Sequence, residues 1–388
     1  MSGIRNKREF RSYHGWGLGL GLLLSLCLNM SLIVKGFSSG RRWQPLPDYY
    51  PTSAVLFSED IFSEDPGIIR VARESLEAGT EIFVLTNRPL AEGEKADWLT
   101  RAGFDKEERK RIRLIGVNHD NRWLRDFSPF TVHEPGKDAS SSRFVDFRYG
   151  EQASLSDIVP YQLAIYFEKS LESVDLVLDG GNLLTDGWHC YTGVPETMTT
   201  VQAENLKLVL RDRMGCRQVV LIHNPVHPHI DMWAQLPGPD HAVVHQITDE
   251  MLELAARIDP EYSDRVEDIR DALDHAAKHF ALSKKVLRIP MPLPSRDTFR
   301  TFTNALLVNG RAIIPTYRTH PVSGRPWIDL ELIQKYEQEI RSGYEGLGYR
   351  VTFVTADRWI VEGGAIHCLT AQIPRIQNHA GSGGEGIR

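Results

Sequence analysis

The chain has 388 residues, of which 41% are hydrophobic and 25% charged, a globular balance that fits one large domain or two average ones. A net charge of -6 argues against a nucleic-acid binder, which would present a basic face. Four cysteines at uneven spacing make no disulfide framework, and without CxxC or HExxH neither a zinc ribbon nor a zinc protease is indicated.

A basic flank at 1–15, with Arg5, Lys7, Arg8 and Arg11, leads into an uncharged Leu/Gly-rich run at 16–34. At about 19 residues that run is long enough to cross a hydrocarbon core. It reads as a signal anchor, with a cleaved signal peptide as the alternative. The basic flank comes first, which places the body of the protein outside the cytoplasm, membrane-anchored or secreted. Residues 35–50 read as a linker, 51–377 as the folded domain and 378–388 as a Gly/Ser-rich disordered tail.

Inside the domain, 54–57 reads as a first short strand. The chain then repeats an amphipathic helix followed by an apolar β-branched strand. The pairs are 66–78 with 81–86, 157–172 with 174–178, and 203–214 with 218–223. Two more follow, 266–282 with 286–289 and 330–347 with 350–354, and the apolar run continuing to 360 reads as buried strand. Gly79, Gly215 and Gly348 fall between helix and strand, where a helix C-terminal cap belongs.

Each unit also has a polar motif: Trp123-Leu124-Arg125-Asp126, Asp179-Gly180-Gly181-Asn182, His229-Ile230-Asp231, Thr303-Asn304-Ala305, and Glu362-Gly363-Gly364-Ala365-Ile366-His367-Cys368. Motifs repeated at this period suggest a radial arrangement converging on one centre. Cys368 alone is more often a buried hydrophobe than a nucleophile. With His229 and the carboxylates Asp126 and Asp231, however, it makes a set suited to a guanidinium. Paired carboxylates match that planar fork of donors, a thiolate attacks its carbon, and an imidazole moves the protons. His229 and Asp231, two apart, address one face if the segment is extended. Other readings stay open: a local salt bridge for Asp126, a metal near His223, His227 and His229, backbone support for Asn304, and a plain tight turn for 179–182.

These five motifs, in this order, resemble the guanidino-group-modifying (pentein) superfamily, in the branch of agmatine deiminases and porphyromonas-type peptidylarginine deiminases. The resemblance covers about 50–376. It implies a five-bladed α/β propeller with pseudo-fivefold repeats. By the same resemblance Cys368 is the nucleophile, His229 the acid/base, and Asp126 and Asp231 the guanidinium-binding pair. Asn304, Trp123, Arg125, Asp179, Gly181 and Asn182 join the substrate site. The implied reaction is hydrolytic deimination through a Cys-thiouronium, with no metal or organic cofactor. Arg148 is a candidate partner for a substrate carboxylate, with a surface salt bridge as the other reading, and with the export signal it favours peptidyl-arginine over agmatine. A non-catalytic guanidinium-binding protein and an amidinotransferase-like enzyme are the further alternatives.

Overall fold

The computed structural model describes residues 43–376 apart from 63–64, 89, 138–140, 151–153, 225–226 and 295–297. The expected anchor at 16–34 and tail at 378–388 lie outside the described residues. Among the described residues, no helix is long and apolar enough to cross a membrane.

Five sheets among the described residues share one plan. A strand pairs antiparallel with the next in sequence, and that second strand pairs parallel with a third reached through a helix. Phe130–His133, Ser142–Arg148 and Leu171–Val177 form one such set, with the helix Val159–Tyr166 before the third strand. Leu183–Thr185, His189–Val194 and Gln218–His223 form the next, crossed over by Thr200–Val209. Ala234–Gly238, His241–Gln246 and Lys285–Pro290 follow, with Pro260–Ala281 as the long crossover helix. Leu306–Val308, Arg311–Thr316 and Arg350–Thr355 use Leu330–Gly346. The fifth sheet is assembled from both ends of the domain. Ala371–Pro374 pairs antiparallel with Thr52–Ser58, which is joined through Pro66–Glu77 to the parallel strand Glu81–Thr86.

Local chemistry explains the crossovers. Parallel neighbours need a long connection, and a helix with one apolar stripe covers the sheet while making it. In Leu330–Gly346 the buried residues are Ile333, Tyr336, Ile340 and Tyr344, spaced three and four apart. Pro66–Glu77 starts with Pro in its first turn, and the Asp65 side chain accepts from Gly67 N at 2.7 Å.

The helix–strand unit expected from periodicity is therefore incomplete, because an antiparallel strand pair opens every repeat, a hairpin in four of them and a pairing of distant segments in the fifth. Part of the linker expected at 35–50 is a paired strand instead. Gln44–Pro45 pairs antiparallel with Val132–His133, so the chain is built into the fold from Trp43 onward. The strand expected to reach 360 stops at Thr355, and a short helix, Asp357–Ile360, follows. There the Asp357 carboxylate accepts from Arg318 N, Thr319 N and Trp327 Nε1, which turns the chain inward and buries Trp359. The helix expected at 157–172 shortens to Val159–Tyr166, and its strand starts at Leu171. Cys190 and Cys216, unassigned by the sequence, are disulfide-bonded with Cα atoms 5.7 Å apart.

Candidate active site

Every polar motif precedes the first strand of a sheet, so equivalent positions in the five repeats present their side chains from equivalent turns. Asp126 lies in the short helix Leu124–Phe127, ahead of Phe130–His133. Asp179 comes just before the turn Gly180–Asn182 and the strand Leu183–Thr185. His229 is extended, but Ile230–Met232 is a 3-10 turn. His229 and Asp231 thus reach a common site through a turn, not along one strand face as expected.

Cys368 is buried in the turn before Ala371–Pro374, and Asn304 holds it twice. Asn304 Nδ2 donates to Sγ at 3.0 Å, and its Oδ1 accepts from Cys368 N at 3.2 Å. The Cys368 carbonyl accepts from Arg125 N at 3.1 Å, which ties two motifs together. Asp231 Oδ2 stands 3.7 Å from Sγ.

His229 sits between two carboxylates, with Nε2 3.2 Å from Asp179 Oδ2 and Nδ1 3.5 Å from Asp126 Oδ1. Asp126 Oδ1 also accepts from Gly181 N at 3.1 Å. Gly181 marks the centre. A Cβ there would lie 2.7 Å from Asp126 Oδ1 and 3.1 Å from both Asp231 Oδ2 and His229 Nδ1, so any side chain would intrude on all three. Gly364 is equally constrained, since a Cβ would come within 2.5 Å of the Trp123 ring and 3.0 Å of Cys368 Cβ.

The electrostatics favour an incoming cation. Burial pushes the Cys368 thiol well above its usual pKa, and the Asp231 and Asp126 charges push it further. Burial, helped by Asp231 and Asp179, raises Asp126 to about 7 against the pull of His229. Burial alone would lower His229, but Asp126, Asp179 and Asp231 outweigh it and raise the imidazole to about 9.

Not every candidate joins this cluster through its side chain. Arg125 points behind the Cys368 turn, where its guanidinium pairs with Asp48 at 2.9 Å and donates to Gln372 Oε1 at 3.1 Å. Asn182 spans the hairpin, accepting from Gly193 N and donating to Gly193 O. Arg148 is exposed and paired with Asp175 at 2.8 Å, which is the surface salt bridge left open by the sequence. Two residues given no role by the sequence do belong here. His367 Nδ1 lies 2.7 Å from Asp231 Oδ2, and Asp48 reaches the far side of the same ring. Asp48 falls in a Pro-rich stretch that reads as linker, so no local signal marks it.

A buried thiol at Asp231 and a carboxylate-flanked imidazole that meets the same Asp231 around Gly181, on this α/β frame, form the site of a hydrolase acting on carbon–nitrogen bonds. Residues 57–374 match the Porphyromonas-type peptidyl-arginine deiminase family, and the chain belongs to that family. A Yersinia pseudotuberculosis protein provisionally named an agmatine deiminase is 22% identical over 292 residues, covering 68% of this chain and 77% of its own. A Shewanella baltica protein with the same provisional name is 24% identical over 305 residues, covering 68% and 76%. The solved C. jejuni agmatine deiminase superposes with a TM-score of 0.63 at 15% identity, over 87% of this chain and 97% of its own. A Porphyromonas gingivalis structure, provisionally an arginine deiminase, gives 0.65 at 17%, over 86% and 98%. These structural likenesses establish the α/β fold.

Proposed function

We propose that this protein hydrolyses the guanidino group of agmatine, releasing ammonia and leaving a ureido product, through a covalent intermediate on Cys368. The observation that carries the reading is the convergence on Gly181 of Asp126, Asp231 and His229, with the Cys368 thiol 3.7 Å from Asp231. The names borne by the curated relatives favour agmatine. The sequence argument for a carboxylate-bearing substrate rested on Arg148, whose guanidinium is occupied by Asp175. Peptidyl-arginine is the second reading, favoured by the family the chain matches. The Cys190–Cys216 disulfide favours an oxidising compartment, in keeping with a domain outside the cytoplasm. The five like sheets, one of them pairing Thr52–Ser58 with Ala371–Pro374, favour a five-bladed ring with the site at its centre.

In this mechanism Asp126 and Asp231 grip the guanidinium in charge-assisted hydrogen bonds. The arriving positive charge offsets the carboxylates that hold Cys368 protonated, so the thiol proton passes to solvent, and Sγ forms its bond to the guanidinium carbon as the C–N π electrons move onto nitrogen. His229, protonated and oriented by Asp179, gives its proton to the departing nitrogen as the C–N bond breaks. Ammonia leaves a thiouronium on Cys368. The now neutral imidazole takes one proton from water as the new C–O bond forms. The C–S bond then breaks to return the thiolate, and the remaining hydroxyl proton goes to solvent. From solvent the thiolate regains its proton and the ammonia becomes ammonium.

The test measures ammonia release and ureido formation on agmatine, free arginine, and peptides with internal or C-terminal arginine, with Cys368→Ala as control. Turnover of agmatine, lost in the control, is expected. Turnover of peptides alone would shift the assignment to the second reading. Silence on all substrates by the folded protein would remove both.

A further inference from the structure

The deiminase reading gives no role to the histidine next to the nucleophile. His367 is 2% exposed and lies between two carboxylates, with Nδ1 2.7 Å from Asp231 Oδ2 and Nε2 3.3 Å from Asp48 Oδ2. Its backbone is fixed as well, since His367 N donates to the Asn304 carbonyl at 3.1 Å. Asp48 is itself held, by Arg125 Nη1 at 2.9 Å through its carboxylate and by Gln372 Nε2 at 2.9 Å through its carbonyl.

The consequence falls on Asp231. Its Oδ2 is taken by the imidazole, while its Oδ1 is buried and has no hydrogen-bond partner among the described residues. A carboxylate oxygen left so is costly until a donor arrives. We propose that His367, backed by Asp48 and through it by Arg125, is a positioning residue that fixes the Asp231 carboxylate by its Oδ2, the oxygen that faces Gly181 and Sγ, and leaves Oδ1 without a partner among the described residues. The carboxylate thus keeps its charge and hydrogen-bonding capacity for the substrate guanidinium and sets the affinity of the site for that cation. This inference rests on the deiminase reading. Burial and Arg125 act to strip the ring of its second proton, but Asp48 and Asp231 prevail and raise the His367 pKa, so that Nδ1 is hydrogen-bonded to Asp231 while Nε2 makes an ion-pair approach to Asp48 without hydrogen-bond geometry.

The experiment measures calorimetric binding of agmatine, of an arginine peptide and of their neutral ureido products to the full chain carrying Cys368→Ser, which removes turnover. His367→Leu removes both donors, His367→Asn retains one at the place of Nδ1, and Asp48→Asn loosens the clamp from outside the buried ring. The expected result is that His367→Leu weakens guanidinium binding by roughly 30-fold and ureido binding by much less, because only the cation draws on the charge of Asp231. His367→Asn should recover most of the loss, and Asp48→Asn should fall between. In the turnover-competent enzyme the same variants should raise KM more than they lower kcat. Equal guanidinium binding by His367→Leu and its parent would overturn the inference. So would a guanidinium-to-ureido ratio unmoved by any of the three variants, or a His367→Asn no better than His367→Leu. If His367→Leu does not fold, Asp48→Asn decides alone. A Cys368→Ser parent that binds no guanidinium compound would remove the deiminase reading itself, and this inference with it.

Discussion

At the scale of single residues, the same carboxylates raise the pKa of both the thiol and the imidazole, which keeps the one neutral and the other charged. Asn304 is the neutral counterweight, because its amide donates to Sγ and stabilises negative charge that Asp231 and Asp126 disfavour. A hydrogen bond to a charged group is worth about 1.5–3 kcal/mol. Asn304→Ala is therefore expected to lower kcat/KM by roughly 10- to 150-fold with substrate binding less affected, and an unchanged kcat/KM would remove the amide from the chemistry. The pH profile follows from the same neighbourhood. On the proposed mechanism Asp126 must be ionised to bind the guanidinium, and its pKa is raised to about 7, so kcat/KM should rise as pH passes that value. His229 must carry its proton to release ammonia, and its pKa is raised to about 9, so the profile should fall above that value. Asp179→Asn takes a negative charge from beside the imidazole, which lowers the His229 pKa. The falling limb should then move to lower pH, and a limb that stays in place would dissociate Asp179 from His229.

At the scale of elements, the crossover helices and the strands after them were legible because the longest helices bury one stripe at helical spacing and three of the five units have a glycine-marked turn between helix and strand. Gly79, Gly215 and Gly348 have φ of +84°, +84° and +90°. The opening hairpins were not legible. Leu183–Thr185 and Leu306–Val308 are three residues each and wholly buried, so they show no alternation of faces. The Asn309-Gly310 pair, at φ +44° and +81°, did carry a hairpin signal that the helix–strand reading passed over. The convergence of Cys368, His229, Asp126 and Asp231 was legible from motif order, whereas Asp48 came into view only through distant pairing with Arg125 and His367. One element is pinned by charge. Arg300 makes a two-pronged bond to Asp329 at 2.8 and 2.9 Å, both side chains buried, and Asp329 also accepts from Leu293 N just before the helix Leu330–Gly346. Removing one partner strands the other charge, at a cost of about 3–5 kcal/mol. Asp329→Ala should show that loss in denaturant unfolding, and a loss below about 1 kcal/mol would mean that the buried guanidinium finds another acceptor.

At the scale of the whole molecule, segments from early and late in the described domain pair in one sheet. Ser53 Oγ donates to the Ile373 carbonyl across 320 residues of chain, inside the sheet that also carries the turn of Cys368. Gln372 joins the neighbouring pieces, because Nε2 donates to Leu307 O at 2.8 Å and Asp48 O at 2.9 Å while Oε1 accepts from Arg125. The last described strand is thus a brace for the nucleophile turn as well as an edge of the fold. Contacts of such sequence separation form late, after the entropy of closing the chain has been met. A chain ending after Thr370 keeps Cys368, His229, Asp126 and Asp231 but loses this brace. It leaves the Thr52–Ser58 edge unpaired and the Cys368 turn untethered. Such a chain is expected to lose both deiminase activity and its single cooperative melting transition, as followed by circular dichroism. Gln372→Ala tests the same brace more gently. It should cost about 1–3 kcal/mol for the buried partners it leaves unpaired, and it should lower activity more than the lost stability accounts for. A truncated chain that melts cooperatively and turns over substrate at the parent rate would show that the closing strand does not hold the nucleophile in place.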